Sequence, residues 1–108
     1  MNLHHLAEER SLAYHAAIAA RLELEPALLD VARHRVEKWL REGNPHAYYT
    51  HAWSEILSAP LPIIRQHLVD PSSRCRSLRQ VTPFAGLVDA RERWKLWREV
   101  RTRCAVDR

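Results

Sequence analysis

The stretch PALLDVARHRVEKWLREGNP, residues 26–45, decides the fold. Leu28, Leu29, Ala32, Val36, Trp39 and Leu40 recur at spacings that place them on one side of a helix, with Arg33, Arg35, Glu37, Lys38 and Arg41 mostly outside. Pro26 suits a first helical turn, where a missing N–H goes unused. Gly43 supplies the left-handed residue that closes a helix, and Asn44-Pro45 prevents continuation. A helix over 26–42 is therefore predicted.

Upstream, Leu6, Arg10, Ala13, Tyr14, Ala17, Ile18 and Arg21 repeat every three or four residues, predicting a helix from Leu3 to about Leu22. Downstream, Tyr48, Tyr49, Ala52, Trp53, Ile56 and Leu57 form a broad apolar face on a third helix beginning at Pro45 or His46. Pro62 opens a short helix through Leu68. Asp70-Pro71 reads as the cap and first position of a basic helix ending at Arg79. Thr82 precedes Pro83, which pushes it toward extended geometry, so 81–86 is a loop, with Phe84 its plug into the core. Asp89 followed by Glu92 is a capping-box pattern for a last helix that frays past Thr102. Two Gly and few β-branched residues favour helix over strand throughout. The expected fold is all-α: one compact single-domain bundle, residues 1–108, of five or six helices, several short.

No apolar run is long enough to span a bilayer, and the N-terminus lacks the pattern of a signal peptide, so the cytoplasm is the expected location. Cys75 and Cys104 are expected as free thiols there. Charge is unevenly spread. Residues 1–70 hold seven Lys/Arg against nine Asp/Glu; residues 71–108 hold ten against four. A basic half attracts nucleic acid or an acidic protein surface.

Catalytic signatures are scarce. His4, His5, His15, His34, His46, His51 and His67 form no HExxH, and no CxxC is present, so no metal or other cofactor is expected. No glycine-flanked serine or phosphate-cradling glycine loop occurs. Arg41 to His46 and Arg10 to His15 match the short Arg-to-His spacing of HEPN-type ribonucleases, although Gly43 and Pro45 interrupt the first match. Arg74, Arg76, Arg79 and Gln80 could contact nucleic acid, with 70–78 and 87–103 imitating a helix-turn-helix across an overlong loop. On the last helix, Trp94 and Trp97 stand among Arg93, Lys95 and Arg98, the mixture of aromatic and Arg residues enriched in protein-interface hot spots.

The segment LRQVTPFAGL, residues 78–87, running on to Glu92-Arg93-Trp94, resembles the LRQ-x-(S/T)PFAG-x-L…ERW ending of small helical proteins from bacterial toxin–antitoxin loci; the HAYY…AW…IL block from His46 to Leu57 is similar in style. The resemblance covers about residues 45–97. It implies an antitoxin-like component that sequesters a toxin enzyme and helps repress its own operon, with no catalytic residues. No separate DNA-binding domain accompanies it here. The partner surface expected from these readings comprises Arg74, Arg76, Arg79, Arg93, Trp94, Trp97 and Arg98. The chain is not expected to be an enzyme; DNA or RNA binding is the first alternative, and a HEPN-type ribonuclease the second.

Overall fold

A computed structural model describes residues 3–43 and 47–106. It contains six helices: α1 (Leu3–Arg21), α2 (Pro26–Glu42), α3 (Ala47–Leu57), α4 (Leu61–Val69), α5 (Ser73–Gln80) and α6 (Ala90–Val106). No strand occurs among the described residues. The fold is an all-α single domain.

Helix α2 ends as its sequence dictates. Gly43 takes φ +67°, and its N–H returns to the Trp39 carbonyl, closing the last turn. Asn44 and Pro45, read as the stop, lie outside the described residues. Between α1 and α2 the chain turns through Leu22–Glu25, leaving Leu24 fully in solvent while Leu22 anchors the turn from below.

Helix α1 is the axis of the molecule, packing against α4, α5 and α6, while α2 reaches the bundle through α3. The main core gathers Tyr14 and Ile18 of α1, Leu22 of the turn after it, Ala32 and Val36 of α2, Trp53 and Leu57 of α3, Ile64 and Leu68 of α4, and Cys75 and Leu78 of α5. Each helical pair sits at three- or four-residue spacing, so burying one face of each helix fills the interior. A smaller cluster of Leu6, Val100 and Cys104 fastens the far end of α6 to the start of α1. That cluster explains why α6 runs to Val106 instead of ending near Thr102.

Three local expectations change. The cap of α5 is Ser72, not Asp70: its hydroxyl accepts from the Cys75 N–H at 3.2 Å. Asp70 instead accepts from the Ser72 N–H at 2.7 Å, and that bond, followed by one to the Ser72 side chain, holds its carboxyl below the usual range. The capping box of α6 is half made. Asp89 accepts from the Glu92 N–H at 2.9 Å, but the Glu92 carboxylate turns away to pair with Arg21 of α1. Finally, Tyr48 lies outside the core at 64 % exposure, while α3 buries Thr50, Ala52, Trp53 and Ile56.

Candidate partner-binding surface

The loop joining α5 to α6 sets where α6 lies, and it is held almost entirely by side chains from other helices. Phe84 is fully buried and meets the Trp53 ring edge-on at 6.0 Å. Tyr14 of α1 donates its hydroxyl hydrogen to the Phe84 carbonyl at 2.6 Å and accepts from the Leu87 N–H at 3.0 Å. From α2, Arg35 donates to the carbonyls of Pro83 and Ala85. Trp53 donates to the Leu78 carbonyl at 3.0 Å. Gly86 provides the left-handed turn, φ +73°. A loop lacking a backbone ladder must satisfy its polar groups somewhere, and here three helices supply the partners.

His15 completes this clamp. Its Nδ1–H donates to the Ser11 carbonyl at 2.7 Å, because a carbonyl can only accept. That tautomer leaves Nε2 to accept from the Thr82 hydroxyl at 2.8 Å. Thr82 in turn accepts from the Phe84 N–H at 3.0 Å. Burial lowers the imidazole pKa to about 4; the Ser11 bond opposes this and the nearby Arg79 charge adds to it. His15 is therefore a neutral structural group. The Arg10–His15 spacing does not create a surface pair, since both imidazole nitrogens are engaged in the interior and Arg10 lies over the Trp97 ring at 5.7 Å. Of the other such pair, Arg41 is exposed and His46 lies outside the described residues.

The seven surface residues expected from the sequence do not form one patch. Arg79 is buried and donates to the Leu68 carbonyl at 3.3 Å, at the end of α4; desolvation holds its guanidinium below its ordinary value. Its role is to tie α5 to α4, which removes it from any exposed surface. Arg74 engages the Tyr48 side chain, a bond that holds its guanidinium above the ordinary value, and so it faces α3. Arg76 pairs with Glu8 of α1 at 3.3 Å. Helices α5 and α6 each pack on α1 and do not pack extensively on each other, so they are not arranged as a helix-turn-helix. Trp97 is half-buried, packed against the core with Arg10 stacked on it.

What remains accessible belongs to α6. Leu96, Trp97, Val100 and Cys104 turn inward or lie partly covered; Arg91, Trp94, Lys95, Arg98 and Arg101 turn outward. Trp94 is 65 % exposed. With Arg91 three residues before it and Arg98 four after it, Trp94 lines an open hollow of about 500 Å³. Arg93 is exposed as well, outside this hollow. Among the described residues, no ion pair engages Arg91, Arg93, Lys95, Arg98 or Arg101. Arg91 was not among the expected residues, although its position three before Trp94 was a usable signal. By contrast, Tyr14, His15 and Arg35 gave no local signal, because their partners lie about fifty to seventy positions away.

Among the described residues, no group of three or more His, Cys, Asp or Glu side chains could hold a metal ion. No described helix is long and apolar enough to cross a membrane. Cys75 and Cys104 are free and buried. No family model, curated protein or solved structure matches this chain.

Proposed function

We propose that the chain is a protein-binding module that captures an acidic partner on the outward face of α6, in the manner of an antitoxin holding a toxin enzyme. One observation carries the reading: an exposed indole, Trp94, set between two unpaired guanidinium groups, Arg91 and Arg98, on a helix anchored from behind. Leaving a tryptophan in water forgoes the 1.5–3 kcal/mol order of gain that burying a large apolar side chain brings. A partner that covers it recovers that gain, and Trp and Arg are the residues most enriched among interface hot spots. The antitoxin role comes from the resemblance of residues 78–94. The residues that carry that resemblance run from the last turn of α5 through the clamped loop into the first turns of α6, so the segment builds and aims the proposed surface.

The test is capture of a partner by the tagged chain from its native host, compared with Trp94→Ala and Arg98→Ala variants. Both positions are exposed, so both variants should fold normally. Loss of the captured protein in both supports the reading. Undiminished capture refutes it, and recovery of nucleic acid with no protein partner replaces it with a nucleic-acid-binding role, recognisable by a steep loss of affinity with salt.

A further inference from the structure

The exposed stripe of α6 has a register, and the register narrows what fits it. The inference that follows rests on the partner-binding reading above. Arg91 and Arg98 are seven residues apart on one helix, which separates them by about 10 Å along its axis. Trp94 lies between them, on the same side. Any second helix repeats that interval between its own positions i and i+7, and its i+3 or i+4 side chain then faces the indole. We infer that the occupant of this face is an acidic amphipathic helix of a partner protein, presenting two carboxylates seven positions apart with an apolar side chain between them.

Charge complementarity selects the acidic helix over the other occupants. Among the described residues no carboxylate pairs with Arg91 or Arg98, and Glu92 is drawn off to Arg21 on the α1 side. A second copy of α6 laid on the first would set Arg91, Lys95, Arg98 and Arg101 against like charges, which is repulsive. An extended phosphate track is also a poor match. Duplex binders commonly neutralise on the order of six to ten phosphates, whereas the basic residues of α5 are diverted: Arg74 toward Tyr48, Arg76 to Glu8 and Arg79 into the core. Within the basic half, the described cations left without a partner lie on a single helix of 17 residues, about 25 Å long, the dimensions of another helix. A bilayer surface is disfavoured because the apolar side of α6, Leu96, Trp97 and Val100, is turned toward the rest of the molecule. Within the proposed pair, exposed ion pairs contribute little affinity individually. Burial of Trp94 supplies the affinity, and the two carboxylates set the orientation and register.

The experiment uses the full chain and two synthetic helical peptides of about eighteen residues, five turns, with identical composition. One carries Glu at i and i+7 and Leu at i+4; in the other the same residues are permuted onto different faces. Calorimetric titration should show the first binding about tenfold more tightly or better, equivalent to about 1.4 kcal/mol. Arg98→Glu should abolish that preference, and exchanging the matching peptide Glu for Lys should restore it. Equal affinities, no measurable binding of either peptide, or a charge reversal that fails to rescue each overturns the inference. The two levels separate cleanly. If the peptides bind equally while Trp94→Ala still abolishes partner capture, the acidic-helix register is wrong and the partner surface stands. If capture ignores Trp94, the surface itself is wrong.

Discussion

Replacing His15 with Gln should flatten the response of this fold to acid. In the fold the imidazole titrates at about 4, against 6.5 for an unperturbed histidine. The unfolded chain therefore binds the proton more tightly, and stability rises with pH wherever the two states differ. The contribution is fully present above about pH 6.5, declines as the pH falls, and is lost once the buried imidazole is itself protonated near pH 4. At about 1.4 kcal/mol for each tenfold difference in proton affinity, its ceiling between those limits is about 3 kcal/mol. Gln is neutral at every pH and can keep one of the two hydrogen bonds to Ser11 and Thr82. His15→Gln should thus cost about 1–2 kcal/mol at pH 7, the value of one poorly made buried bond, and the order should reverse at pH 4.5, where the wild type alone has lost about 2.5 kcal/mol. The assay is urea denaturation followed by circular dichroism at pH 7, 6, 5 and 4.5. The remaining histidines are common to both proteins and cancel in the difference. Parallel stability profiles for wild type and variant would refute the reasoning, as would an imidazole resonance for His15 titrating near 6.5.

Four further substitutions test the loop, the α4–α5 contact and the exposed face. Phe84→Ala should destabilise the protein by about 3–5 kcal/mol, the usual result of emptying a buried aromatic site, measured as a shift in the urea midpoint with unchanged slope. Gly86→Ala should cost about 1 kcal/mol through its positive φ alone, because an added Cβ meets no atom within 4 Å; thermal melting would detect it, and a cost above about 3 kcal/mol would require a steric clash that is absent here. Arg79→Ala should cost about 2–3 kcal/mol by leaving the α4 terminal carbonyls unpaired, whereas Arg91→Ala, on the exposed face, should stay within about 0.5 kcal/mol. Equal effects of those two arginine substitutions would contradict their assigned positions.

Local chemistry made the fold legible and left the surface only partly so. Gly43, Pro26 and the three- and four-residue spacing of Leu29, Ala32 and Val36 act within one helix, so α2 could be placed to the residue. Phe84, the only Phe in the chain, was identifiable as a plug because a lone large aromatic in a proline-bearing loop has few other uses. The arginines were not separable in this way. Arg74, Arg76 and Arg79 share one short basic helix, yet one faces Tyr48, one pairs with Glu8 and one is buried beneath α4. Those fates depend on which helix lies opposite, and spacing within α5 carries no information about that. The two tryptophans of α6 diverge similarly: Trp97 packs on the core with Arg10 of α1 over its ring, and Trp94, a turn earlier on the helix, is exposed beside Arg91 and Arg98. The motif TPFAG also changes meaning. Its Thr82, Pro83 and Phe84 are engaged in holding the loop to His15, Tyr14 and Arg35, which leaves it, in the proposed function, the role of aiming α6.

If the outward face of α6 captures an acidic protein partner, Trp94 is the residue whose loss weakens capture most. The most direct measurement is the affinity of the captured partner for wild-type chain and for Trp94→Ala, with circular dichroism confirming that both are folded. The account requires the variant to bind at least about thirtyfold more weakly, as expected for an interface hot spot worth about 2 kcal/mol, with unchanged stability. A folded Trp94→Ala protein that binds the partner as tightly as wild type would contradict it.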